Sequence, residues 1–125
     1  MRLELVPVPV SAVDRALAFS ADVVGFHVDH DVRPSPMMRI VQLTPPGSAC
    51  SIVIGTGMGP GPEEGVVRGL HLVVDDIAAA RSELAGRGLD LSEVQDMGGV
   101  KYAHFADPDG NTWSLQEIGT TTPPA

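Results

Sequence analysis

The feature that most constrains the fold is a repeat, because the same order of strand and helix signals occurs on both sides of a break in mid-chain. The break, residues 55–65, lacks hydrophobic periodicity and is dense in glycine and proline, which predicts a linker or mobile loop. The chain is therefore predicted to hold two βαβββ modules at about residues 1–56 and 66–118, with a Gly/Pro linker at about 57–65 and a disordered tail at 119–125.

The first half begins with an apolar stretch, residues 3–10, whose prolines suit an edge strand because they cannot donate to a sheet. The spacing from Ser11 to Asp14 predicts that the Ser11 hydroxyl caps a helix over residues 12–24, which Gly25 ends. Apolar or alternating residues predict three further strands, at 26–32, 38–44 and 49–55.

The second half repeats this order. Residues 66–74 predict a strand, and Asp75 or Asp76 can cap a helix that runs from residue 76 to about 85. Three strands are predicted to follow, near 89–94, 100–106 and 112–118.

Pairing of the two modules is expected, because a single βαβββ unit leaves one sheet face uncovered. The predicted fold class is α+β, in which two tandem βαβββ modules form a curved mixed sheet around a central cavity. A length of 125 residues with 43% apolar content is ordinary for a single domain with its own core. We therefore predict one domain over residues 1–125.

Composition excludes several classes of protein. Cys50 is the only cysteine, so neither an intrachain disulfide nor a thiolate metal cluster can form. The formal charge of −8 repels phosphate backbones and argues against nucleic acid as a partner. No apolar run is long enough for a membrane helix, and the first residues lack the features of a signal peptide, so no membrane contact and a cytoplasmic location are predicted.

Three sequence segments together carry a family resemblance. They are Val-Ser-Ala-Val-Asp-Arg-Ala-Leu-Ala-Phe at 10–19, His-Leu-Val-Val-Asp-Asp-Ile at 71–77, and Phe-Ala-Asp-Pro-Asp-Gly-Asn-Thr-Trp at 105–113. In their order and spacing over residues 3–118, they resemble the glyoxalase/bleomycin-resistance/dioxygenase (vicinal oxygen chelate) superfamily. The resemblance implies the two-module fold, a sheet cavity and a homodimer whose chains share or border a pocket.

The resemblance also implies where a divalent metal would bind, namely to His and Glu side chains on the inward strands. In this sequence the corresponding positions hold Leu5, Gly69 and Ser114, and the fourth falls in an apolar stretch near residues 52–54. None offers an imidazole or a carboxylate, and a serine hydroxyl is a poor anchor for a divalent ion. We therefore predict no metal and no other cofactor.

The leading functional hypothesis is that the chain binds a small, partly apolar organic molecule in the sheet cavity, in a sequestration or resistance-type role. The alternative is a glyoxalase-, dioxygenase- or isomerase-type enzyme, with a divalent metal relocated to His71 and His104 or with these histidines as acid and base. A structural module with a filled cavity is a third hypothesis. Whether the chain is an enzyme stays open, and no catalytic residue is identified.

Candidate ligand-binding residues follow from strand alternation and from the resemblance. Tyr102 and His104 alternate on one strand, although both could equally be half-buried sheet residues. His27 and His30, three apart, are expected on opposite faces of a solvated strand. The full candidate set is His71, Tyr102, His104, Ser114, Gln116, Leu5, Pro7 and Gly69.

Overall fold

The computed structural model describes residues 1–57 and 65–118. The predicted linker lies almost wholly outside the described residues, and the predicted tail lies entirely outside them. None of the helices in the described ranges is long and apolar enough to cross a membrane.

The predicted α+β class with two βαβββ modules is confirmed. The first module consists of β1 (Leu5–Pro7), α1 (Val13–Ala18), a π-helical segment (Phe19–Val24), β2 (His27–Ser35), β3 (Met38–Thr44) and β4 (Ser51–Thr56). The second consists of β5 (Leu70–Val73), α2 (Ile77–Gly86), β6 (Gln95–Met97), β7 (Val100–Ala106) and β8 (Thr112–Glu117).

Each module builds a mixed four-stranded sheet with the same topology. The strand order is β1-β4-β3-β2 in one sheet and β5-β8-β7-β6 in the other. The first strand of each module pairs in parallel with the last, and the remaining pairs are antiparallel. β1 and β5 are therefore edge strands.

The first helix differs from its prediction in two ways. It changes to π geometry after Ala18, and the N–H of Gly25 donates to the carbonyl of Ser20, five residues earlier, at 3.0 Å. The predicted cap is wrong, because Ala12 occupies the cap position and the Ser11 hydroxyl instead donates to Asp109 at 2.6 Å. In the second module the predicted cap is confirmed, since the side chain of Asp76 accepts from the N–H three residues on.

The strand predicted at 89–94 is displaced, since β6 begins only at Gln95. Leu89 and Leu91, within the predicted range, are buried in the core. The carbonyls of Leu91 and Ser92, however, accept hydrogen bonds from the guanidinium of Arg81, at 3.3 and 2.8 Å. A side chain on α2 thus bonds the backbone groups that a sheet would otherwise use.

One hydrophobic core joins the helix-facing sides of both sheets. A row of aromatic rings crosses the junction: Phe19 contacts Phe105 at 6.3 Å between ring centroids, Phe105 stacks on Trp113 at 6.2 Å, and Trp113 meets Phe26 edge-on at 5.5 Å. Each module contributes two of these rings. The modules therefore meet through their helix-facing sides, and the opposite face of each sheet, its open face, points away from this core.

Polar contacts fasten one end of the junction. The carboxylate of Asp109 accepts from the N–H and hydroxyl of Ser11, at 3.0 and 2.6 Å, and from Arg15 at 3.3 Å. The fully buried Asn111 donates to the carbonyl of Pro9 at 2.8 Å. These contacts, here called the latch, hold the β7–β8 turn of the second module against the strand–helix joint of the first.

A buried arginine ties α1 to the first sheet. The guanidinium of Arg39 on β3 contacts both carboxylate oxygens of Asp31, at 2.9 and 2.8 Å, and Asp14 on α1 at 2.6 Å. The hydrogen bond from Arg39 lowers the pKa of Asp31 below its ordinary value, and the bond with Asp31 is the main cause of a raised pKa for Arg39.

We expect Asp31→Asn to lower the free energy of unfolding at neutral pH. Because the folded-state pKa of Asp31 is depressed, its contribution is fully present above the unfolded pKa near 3.8 and is lost as pH falls through the lower folded value. The difference between wild type and variant should therefore shrink below about pH 3.8. Urea unfolding at pH 7, 4.5 and 3 measures it, with the exposed Asp22→Asn as control. A difference that does not change with pH would contradict the assignment.

Candidate functional site

Five of the eight predicted site residues come together on the open face of the second sheet. The β7–β8 register places Tyr102 opposite Gln116 and His104 opposite Ser114. The parallel β5–β8 register places His71 opposite Ser114. Because these residues alternate along their strands, their side chains share one face. We call them the open-face cluster.

Hydrogen bonds and ring contacts connect the cluster. Nδ1 of His104 lies 2.7 Å from the hydroxyl of the buried Ser114, and Nδ1 of His71 lies 2.9 Å from Oε1 of Gln116. The ring of Tyr102 lies between the two imidazoles, nearly parallel to His104 at 6.3 Å and edge-on to His71 at 5.9 Å. Three rings therefore stand side by side, and two of them are oriented by partners on β8.

These hydrogen bonds determine which polar atoms of the cluster remain free to form a hydrogen bond with a ligand. With the Gln116 carbonyl oxygen as its partner, Nδ1 of His71 carries the hydrogen, so Nε2 of the neutral ring can accept from a ligand. The charged neighbours on the same strands, Lys101 and Glu117, lie on the opposite face, 3.8 Å from each other. With neutral imidazoles the cluster carries no formal charge.

The other three predicted site residues lie outside the cluster. Leu5 and Pro7 are on the edge strand of the first sheet and take no part in the hydrogen bonds or ring contacts of the cluster. Gly69 lies two residues before His71, and its N–H donates to Thr112 Oγ1 at 2.8 Å. It adopts a positive φ of 75°, and a Cβ there would meet no atom within 4 Å.

A second polar group lies on the open face of the first sheet and was not predicted. Asp29 accepts from Thr44, whose hydroxyl is also 2.6 Å from that of Ser51. A bulge after Val28 adds one residue to β2, so His27 and His30 pair with Thr44 and Gln42 and lie on the same face. The expectation of opposite faces was therefore wrong, because no residue pattern marks the bulge.

The side chains at the family's metal positions do not fit a divalent ion. Leu5 and Gly69 have no donor atom in the side chain, and the Ser114 hydroxyl is engaged by His104. Across residues 1–57 and 65–118, no three His, Cys, Asp or Glu side chains are placed to hold a metal. The predicted absence of a cofactor stays a prediction.

A cavity of about 530 Å³ lies beside β5 and extends away from the open-face cluster. Of the cluster, only His71 lines it. Its walls come from both modules, from the end of the π-helical segment and the β3–β4 turn on one side and from β5 and α2 on the other. This cavity was not predicted, because its shape depends on how the modules meet.

The family model of the Glyoxalase/Bleomycin resistance protein/Dioxygenase superfamily matches residues 2–115. No curated protein sequence matches the chain significantly.

Several solved structures are similar over nearly the whole chain. The antibiotic binding protein TnmS3 from Streptomyces sp. CB03234 is 30% identical, with a TM-score of 0.81 over 95% of this chain and 97% of that one. A glyoxalase/bleomycin resistance protein from the same organism is 32% identical, with a TM-score of 0.75 over 91% and 98%. A superfamily member from Sphaerobacter thermophilus DSM 20745 is 26% identical, with a TM-score of 0.77 over 94% and 97%.

These matches agree with the observed pair of mixed sheets, which have the same strand order in both modules. The resemblance in the sequence is confirmed, and the chain belongs to the Glyoxalase/Bleomycin resistance protein/Dioxygenase superfamily.

Proposed function

We propose that the chain binds a small, partly apolar organic molecule on the open-face cluster, without a metal, in a sequestration or resistance-type role. The observation that carries this proposal is the row of three rings formed by His71, Tyr102 and His104. Such rings offer flat apolar surface together with polar tips, which is the combination that small-molecule sites use.

The preorganisation of the rings supports binding. Ser114 and Gln116 orient the two imidazoles before a ligand arrives, so less side-chain freedom is lost on association. The similarity to TnmS3, an antibiotic binding protein, supports an organic ligand of the antibiotic class. The net charge of −8 favours a neutral or cationic molecule over an anionic one. A cytoplasmic location stays a prediction from the sequence.

A homodimer is part of the proposal, because the cluster has no opposite wall within the described chain. Val73 on β5 and Met97 on β6 flank it and are 65% and 66% exposed. A second copy that covers this face would bury both side chains and enclose the ligand. Leu5 and Pro7, exposed on the other sheet, are available to line the same pocket across such an interface.

Truncation of the rings should weaken binding. In calorimetric titrations with a panel of small aromatic and heteroaromatic probes, we expect Tyr102→Ala and His104→Ala each to lower affinity about tenfold or more, since aromatic anchors dominate binding energy. Lys101→Ala, on the same strand but on the opposite face, should bind like wild type. Equal affinity of all three variants would contradict the site. Turnover of any probe, followed in the same samples, would favour the alternative of acid–base catalysis by the histidines.

Metal content tests the metal-free part of the proposal. Protein purified without a tag should contain less than about a tenth of an equivalent of any transition metal, and titration with nickel, zinc, manganese or ferrous iron should give no binding heat. The reason is that Leu5, Gly69 and Ser114 replace the family's imidazole and carboxylate ligands. A tightly held stoichiometric ion that is lost in His71→Ala/His104→Ala would overturn it and favour metal-assisted catalysis.

The dimer is tested by light scattering. We expect a mass near twice the 13.1 kDa of one chain, and a shift toward one chain for Val73→Asp, because a buried unpaired charge opposes association. Ser82→Asp, on the exposed side of α2, should leave the mass unchanged. A single-chain mass for wild type at every concentration would rule the dimer out.

A further inference from the structure

At each end of the junction, the turn before the last strand of one module lies near the strand–helix joint of the other module. The two ends differ in the contacts that these segments make. At one end, the latch binds the β7–β8 turn of the second module to the strand–helix joint of the first. At the other end, the β3–β4 turn of the first module, residues 45–48, faces the strand–helix joint of the second across the cavity beside β5. The cavity therefore occupies the place that the latch closes at the opposite end.

The composition of the β3–β4 turn explains why this end stays open. Pro45 and Pro46 have no N–H to donate, and Gly47 has no side chain. Ser48 uses its N–H and hydroxyl within its own loop, in bonds to the carbonyl of Pro45 at 3.0 Å and to that of Cys50 at 2.9 Å. Within the residues that the structure describes, the turn makes no hydrogen bond to the second module.

The cavity has apolar walls and, among the described lining residues, a single carboxylate, that of Glu83, at its rim. Leu84 and Leu115, both buried, lie among its apolar lining residues, and Glu83 with 64% of its side chain exposed lies among the polar ones. Neither lysine nor arginine is among the lining residues of the described chain. A volume of about 530 Å³ lies within the range of sites for small organic molecules.

Backbone groups add hydrogen-bonding capacity. The N–H of Val74 donates to Gln116 on β8 at 2.9 Å, so the peptide groups of the alternate residues His71 and Val73 point to the free edge of β5. Both residues line the cavity. Within residues 1–57 and 65–118 these backbone groups have no hydrogen-bond partner, so a ligand there meets donors and acceptors as well as apolar walls.

We propose that this cavity is a second small-molecule site, which shares only His71 with the open-face cluster, and that it takes a compact amphiphilic amine. The apolar body of the ligand lies between the β3–β4 turn and α2, and its ammonium group lies at the carboxylate of Glu83. Arg87 contacts one oxygen of that carboxylate, Oε1, and its guanidinium also donates to the carbonyls of Val23 and Val24. The net charge of −8 favours a cation further.

Three matched probes test the site and its charge preference: 4-phenylbutylamine, 4-phenylbutanol and 4-phenylbutyrate. Titrated into ¹⁵N-labelled protein, the amine should shift the amide signals of Val74, Ala80 and Leu84 and leave those of Tyr102 and His104 in place. Affinity should fall from amine to alcohol to acid. No binding of any probe, equal affinity for amine and acid, or shifts centred on Tyr102 and His104 would overturn the proposal.

Variants separate this site from the open-face cluster. Ala80→Phe fills the cavity and should weaken the amine about tenfold or more, while the amide spectrum reports whether the variant is folded. Glu83→Gln keeps the shape and should remove the preference for the amine over the alcohol, a change of about threefold for a partly exposed charge. His104→Ala should leave amine binding unchanged. Undiminished binding to folded Ala80→Phe, or an unaltered amine preference in Glu83→Gln, would contradict the site.

Discussion

The rest of the structure depends on the burial of aromatic rings between the two modules. Phe19 and Phe26 contact Phe105 and Trp113, so neither module can cover the helix-facing side of its sheet with its own side chains alone. Burial of such rings is worth several kcal/mol in total, more than surface ion pairs contribute. The helix-facing sides form this junction. The surfaces that remain for binding a ligand are therefore the open faces and the gaps at the ends of the junction.

The fold could be predicted because its signals are local. Strand periodicity predicted β3 and β7 with their observed bounds. The carboxylate of Asp76, which can accept a hydrogen bond at a helix N-terminus, predicted the start of α2. The failures are contacts between residues far apart in sequence. Ser11 meets Asp109, 98 residues away, and no pattern near Ser11 indicates a competing acceptor. Likewise, the carbonyls of residues 91 and 92 accept hydrogen bonds from Arg81, and no pattern near them indicates this donor.

The site could be predicted to the extent that strand pairing follows from the sequence. Tyr102 and His104 face Gln116 and Ser114 because a short turn joins their strands and fixes the register. His71 joins them through the parallel pairing of β5 with β8, which was not predicted because it joins strands about 40 residues apart in sequence. Leu5 and Pro7 lie in the other sheet, and their relation to the cluster depends on how whole modules or chains assemble, which side-chain periodicity does not encode. The cavity beside β5 was not predicted because its shape, too, depends on how the modules assemble.

The parallel pairing of the first and last strand in each module has a consequence for synthesis. β1 can pair only after β4 has been made, at Thr56, and from then on the first sheet can form. Its aromatic partners follow much later, since Trp113 is 57 residues further along (113 less 56). At translation rates of about 5–20 residues per second, the nascent first module spends roughly 3–11 s with Phe19 and Phe26 uncovered. During that interval it is a ready target for chaperones and for association with other nascent chains.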